Sequence, residues 1–132
     1  MISYQSTHGE VSWDKGLKAV VMEWKGFAYG VEFQTIMNRG IELLSEMRSG
    51  RLLMDARKGS AIKAEDQDWI RQTFVSHAFG NGLRYFAMVL PKSTIAKLSL
   101  DRTVNQLGEL PYELMNFSEM EDAMQWLSLQ SN

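Results

Sequence analysis

Hydrophobic and polar positions alternate weakly over 2–7, ISYQST, where Ile2 and Tyr4 share one side. They alternate more cleanly over 10–14, EVSWD, through Val11 and Trp13. DKG at 14–16 reads as a tight hairpin turn, with Gly16 free to take positive φ. The apolar run LKAVVMEW at 17–24 returns as a strand. The chain is therefore expected to open with antiparallel strands.

The period then changes. Over 30–50, Phe33, Ile36, Met37, Gly40, Leu44 and Met47 recur on one helical face, with Arg48 and Gly50 as stop signals. Gly40 lies within that face and points to close packing of helix on sheet. RLLMDA at 51–56 has no alternation, as expected of a strand covered on both faces. A helix follows over 65–79, with acids in its first turn and an inner stripe of Trp69, Ile70, Thr73, Phe74 and His77. GNG at 80–82 breaks it, and LRYFAMVLP at 83–91 reads as the central buried strand. A helix over 93–108 carries Ala96, Leu100, Thr103, Val104 and Leu107 in one arc and leaves Ile95 and Leu98 outside it. A strand over 112–117 and a helix over 118–129 complete the chain, with Ser118 and Glu121 at capping-box spacing. Met120, Ala123, Met124 and Leu127 face inward in that helix, and Trp126 flanks them. Alternating strands and helices demand a largely parallel sheet with right-handed crossovers, made mixed by the opening hairpin.

That order resembles the STAS domain, the module of anti-sigma-factor antagonists and sulfate-transporter tails. It is more similar to the SpoIIAA-like (STAS/CRAL-TRIO-related) family of small bacterial proteins. EWKG, LLMDAR, EDQDWI and EDAMQWL carry the resemblance, which covers residues 10–129 in architecture. It implies an α/β fold of STAS/SpoIIAA-like type, an antiparallel hairpin leading into helices and largely parallel strands. In antagonist STAS domains the phosphorylatable serine lies in an Asp-Ser-(Ser/Thr)-Gly turn. Here Asp55 takes the position of the acid, Ala56 and Arg57 replace hydroxyl residues, and Ser60 comes after the glycine. The acceptor position thus departs from the family pattern and lacks its helix-terminal setting.

Length adds that the 132 residues suit one domain, 1–132, able to hold a core without staples. The chain has no cysteine, which excludes disulfides, thiolate metal sites and a cysteine nucleophile. A net charge of -2, with both signs dispersed, is no footprint for nucleic acid or an anionic membrane. No apolar run approaches the ~20 residues of a membrane span, so no membrane insertion is expected. The start, MISYQSTHGE, has no signal-peptide pattern, and the expected location is cytoplasmic. The 9 methionines fall mostly on core positions.

Candidate chemistry gathers at one edge. Asp55 ends a buried strand at the carboxyl rim of the sheet, where open α/β folds collect ligands. With Arg57 and Ser60 it forms a candidate anion or ligand corner, joined by Lys92 and Ser93 from the next strand. Ordinary loop bonding accounts for the same residues. Asp55 then pairs with Arg57 or accepts backbone N–H groups, and Ser93 caps the next helix. Ser93 and Lys92 have the types of a nucleophile and base, but no oxyanion hole or orienting group accompanies them. The acids of EDQD read as a solvated, dipole-matched cap. His8 and His77 stand alone, so no metal site is expected, and GFAYG and GNG are not phosphate loops. No cofactor is implied.

These readings favour a non-catalytic, STAS-like interaction module. Its candidate interface is Ile95 and Leu98, and its partner an unknown protein or a second copy forming a homodimer. The alternative is a carrier or sensor of a small apolar or amphipathic ligand held beneath the 93–108 helix. An enzyme built on Asp55, Lys92 and Ser93 is the third class.

Overall fold

A computed structural model describes residues 1–131. Six strands form one sheet in sequential order: β1 (Ile2–Ser6), β2 (Gly9–Asp14), β3 (Ala19–Trp24), β4 (Arg51–Asp55), β5 (Tyr85–Val89) and β6 (Glu113–Phe117). The first three pair antiparallel, and β3 through β6 run parallel. The helices are α1 (Gly30–Met47), α2 (Ala64–Trp69), α3 (Val75–Gly80), α4 (Thr94–Leu107) and α5 (Met120–Ser128). A π-helical turn, Ile70–Phe74, joins α2 to α3 in one rod. Among the described residues no helix is long and apolar enough to cross a membrane.

Parallel strands laid down in one direction, with crossovers of one hand, put α1, the α2–α3 rod and α4 on the same face. Val20, Leu52 and Phe86 line up across β3–β5 under them, as do Met22, Met54 and Met88. The other face carries Ala19, Leu53, Ala87 and Val89, packed against Ala123 and Leu127 of α5. β4 is buried on both faces, which explains its unbroken apolar run. The centre of the sheet lies between β3 and β4. β5 is one strand from the edge, not central, because only the thin, half-exposed β6 lies beyond it.

Several local expectations are corrected. The β2–β3 hairpin closes through a wider loop between the paired Asp14 and Ala19. There Lys18, not Gly16, takes the left-handed conformation, at φ 53°. Asp14 Oδ1 accepts the Leu17 N–H and so holds the turn without a glycine at positive φ. At the end of α1, Arg48 takes the left-handed cap conformation at φ 52°. Gly50 instead lets the chain pass close to the Gly82 carbonyl and the Arg84 side chain. The capping box of the last helix does not form: Glu119 is the N-cap residue, one position later than Ser118. In the 64–80 rod, Ile70, Phe74 and Ala78 face inward, and Thr73 and His77 are exposed. The π turn inserts a residue into the helical period and rotates the stripe.

Gly40 meets its expectation. A Cβ built there falls 2.7 Å from Met22 Sδ, so any side chain at 40 has to displace the buried Met22 for α1 to lie this close to β3. The start of α1 is fixed from elsewhere in the chain. Tyr29 offers no side-chain cap, and the Gly30 N–H instead donates to Asp66 Oδ2 at 3.0 Å. Asp66 is therefore a buried acid bridging two helix starts, whereas Glu65 and Asp68 remain solvated.

Candidate functional site

The loops leaving β3, β4 and β5 meet at the carboxyl rim. Residues 55–60 lie beside 91–93: the Ala56 N–H donates to the Val89 carbonyl at 2.9 Å and the Lys92 N–H to the Arg57 carbonyl at 3.3 Å. Asp55 is buried, and its side chain pairs with Arg57 through two bonds of 2.9 Å, Nε to Oδ1 and Nη2 to Oδ2. The Arg57 backbone N–H adds a third bond to Oδ1 at 3.1 Å. Burial pushes the Asp55 carboxyl up, but the hydrogen bonds and charge of Arg57, with Lys58 behind it, hold it below the usual carboxylate range. Arg57 in turn is raised, chiefly by its bond to Asp55 and that carboxylate's charge. Glu23 and Glu119 act on it in the same direction. The guanidinium thus answers carboxylates of its own chain.

Ser93 is the N-cap of α4, its Oγ accepting the Ala96 N–H at 3.3 Å. Lys92 and Ser60 are exposed. The corner residues are therefore neighbours by backbone, with Asp55 and Ser93 already engaged in local bonds. His8, read as solitary, has a partner that lies 24 residues on: Nδ1 meets Glu32 Oε1 at 2.8 Å. Ser6 Oγ donates to Glu32 Oε2 at 2.8 Å, fastening the first hairpin to α1. His77 lies by Asn81 on the surface, and no cluster of His, Cys, Asp or Glu among the described residues could hold a metal.

A different feature is the more concave. Beneath α4 lies an apolar cleft of about 80 Å³, walled by α1, the α2–α3 rod and α4, and floored by Met54, Phe86, Met88 and Leu114. No charged side chain lines it. Its carboxyl-rim end is formed by Gly26, Gly59, Ser60 and Pro91, and its amino end by Leu107 and Tyr112. The α1 and α5 backbones approach the sheet closely, whereas those of α4 and the α2–α3 rod lie farther from it. The inward residues of α4 are short or moderate in size: Ala96, Ser99, Leu100 and Thr103. Ser99 Oγ latches the helix to the 56–63 loop, accepting the Ile62 N–H at 2.8 Å and donating to the Ile62 carbonyl at 3.2 Å.

The outer side of α4 carries two apolar side chains among charged and polar ones. Ile95 is 73% and Leu98 58% exposed. Near the same rim Phe27 and Tyr29 are exposed, their rings 5.1 Å apart, with Lys63 Nζ 4.9 Å from the Tyr29 ring.

This architecture matches a known one. A crystal structure of an uncharacterized DUF3478-family protein with a SpoIIAA-like fold, from Shewanella loihica PV-4, superposes with a TM-score of 0.62 at 13% identity. The match covers 96% of this chain and 99% of that one. The fold is SpoIIAA-like. No protein-family model and no curated protein matches the chain. At that identity the likeness speaks for the SpoIIAA-like fold alone, and the function must be argued from the site. Periodicity singled out the rim corner, Ile95 and Leu98. The space beneath the 93–108 helix was expected as the seat of the alternative, an apolar ligand, and the cleft lies there, though no residue pattern gave its size.

Proposed function

We propose that this SpoIIAA-like domain is a non-catalytic binding module that takes a small apolar or amphipathic ligand in the cleft beneath α4. The observation that carries this reading is the uncharged, apolar lining under a helix that stands off the sheet. Methionine adapts its shape to what it meets, and Met54 and Met88 lie in the floor. A volume of about 80 Å³ holds on the order of three water-sized groups. It is well below the roughly 300 Å³ of a drug-sized site, so the seat suits the short end of a chain or one edge of a ring that extends through its open side. The remainder of a larger amphipathic molecule would lie at the rim by Ser60. Engagement of Ser93 as a cap and of Asp55 with Arg57 supports the non-catalytic part of the reading.

Native mass spectrometry of freshly purified protein tests it. The expected result is a bound mass on the parent protein that is lost in Ala96→Leu, a change that fills the cleft from α4. A bare parent that also fails to bind toluene or phenol overturns it.

The exposed Ile95 and Leu98 favour a second reading, contact with a protein through the outer face of α4. Changing both to lysine is expected to leave stability within about 0.5 kcal/mol, as surface changes usually do. It is also expected to abolish a self-association or specific partner band present for the parent. Sedimentation and pull-down profiles identical in the two proteins overturn that reading.

A further inference from the structure

Polar groups beneath α4 are mostly satisfied within the chain. Ser99 Oγ serves Ile62, and Thr103 Oγ1 donates to the Ser99 carbonyl at 2.8 Å. Two side chains in the cleft wall differ. The Trp24 indole N–H and the Tyr112 hydroxyl have no hydrogen-bond partner among the described residues, and although each residue is only 7% exposed, neither polar atom is sealed from solvent; the enclosed unpartnered side-chain atoms are Arg51 Nε and Asp66 Oδ1, away from this wall. A polar atom left open in an otherwise apolar wall is met by water or by whatever displaces it. Trp24 stands at the carboxyl end, beside Gly59 and between the exposed Lys58 and Ser60 in that turn, where solvent reaches the mouth. Tyr112 stands at the amino end, just before β6, its ring 6.3 Å from that of Phe86. Burial raises its hydroxyl well above the usual tyrosine range, so it stays protonated, able to donate and to accept.

Resting on the cleft reading above, we infer that Tyr112 is the hydrogen-bonding anchor of the cleft, and that the ligand carries a neutral oxygen or nitrogen on its buried apolar end. Alcohols, phenols and ketones fit this description. Carboxylates and ammonium groups do not, because the lining offers no counter-charge and burying a lone ion is costly. The hydroxyl selects among apolar molecules of similar size, since a polar group left unpaired on binding penalises the ligand that cannot meet it.

Phenol and toluene are the probes, titrated against the parent and Tyr112→Phe by ligand-observed NMR. The ratio of phenol affinity to toluene affinity is expected to fall about threefold to tenfold in Tyr112→Phe, the range of one net hydrogen bond. Toluene binding itself should stay unchanged, and both probes should be lost in Ala96→Leu. An unchanged ratio overturns the anchor and leaves the cleft reading intact. Failure of both probes on the parent overturns the cleft reading and the anchor with it. Thermal melts provide an independent readout. Loss of an unpaired hydroxyl should leave the midpoint level or raised, and a fall of more than ~5 °C assigns Tyr112 a structural bond and overturns the anchor.

Discussion

On one face of the sheet α1 lies hard against β3, and α4 bridges β5 and β6 at a distance. The two helices share a sheet, a crossover hand and a pattern of inward apolar residues. They differ in what the sequence places at the contact. In α1 the glycine at 40 lets the backbone approach until Met22 fills the gap, and large side chains such as Phe33, Ile36, Ile41 and Leu44 bury fully around it. Gly9 does the same from the sheet side, where a Cβ would fall 2.6 Å from Ile36 Cδ1. In α4 the cleft-facing positions are Ala96, Leu100, Thr103, Val104 and Leu107, which leave space above the methionine floor unfilled. Small residues thus act in opposite ways. Where the backbone closes in they tighten the packing, and where it lies farther from the sheet they leave a cleft.

Adding volume to each helix gives the largest test of that contrast. Gly40→Val is expected to cost about 2–3 kcal/mol, because β-branched bulk has to displace Met22 from a packed core. Ala96→Leu, a comparable enlargement on α4, is expected to cost less than about 1 kcal/mol, since the added carbons enter existing space. Urea melts of the two variants measure both. Equal losses would mean that α4 is packed as tightly as α1.

Next in size is the latch. Ser99→Ala leaves the Ile62 N–H without its partner, while the Ile62 carbonyl keeps the Gln67 side-chain amide, and is expected to cost about 1 kcal/mol. Hydrogen exchange should show α4 amides opening more often while α1 protection stays unchanged. Uniform loss of protection across both helices would remove the independence of α4.

An effect of similar size, lost at low pH, concerns the rim. The folded Asp55 carboxyl lies below its ordinary value, so it contributes stability that is present above the unfolded value of about 4 and lost as pH falls through the folded one. Asp55→Asn is expected to cost about 1 kcal/mol at pH 7, a figure discounted because Arg57 is partly solvated. The difference from the parent should shrink toward pH 2–3, as followed by urea melts across pH. A difference that stays constant over that range would show that the Asp55–Arg57 pair is not what holds the corner.

How much was legible in the sequence follows the range of the interaction. The element order and the right-handed parallel half came from periodicity, because burial repeats every two residues on a strand and near 3.6 on a helix. The juxtaposition of 55–60 with 91–93 followed from that topology. The pairing of Asp55 with Arg57 and the cap by Ser93 were readable because their partners lie two and three residues away. His8 was misread as solitary because Glu32 is distant in sequence, and Asp66 as solvated because the N–H it caps belongs to Gly30. The π turn left no mark in composition, so the inner stripe of the 64–80 rod was drawn through Thr73 and His77 instead of Ala78.

The sequence by itself determined that this is an α/β chain with a hairpin, three same-face crossovers, a rim at Asp55 and a helix with apolar residues on both sides. Those features depend on local periodicity and short-range bonding, which a linear string encodes directly. Only the tertiary structure decided that α4 stands off its sheet, that the methionines of three strands form one row, and that Trp24 and Tyr112 keep unpaired polar atoms in a shared cleft. Whether space is filled, and whether a polar atom in its wall finds a partner, depends on groups brought together from β3, α4 and β6, and no stretch of sequence contains them all.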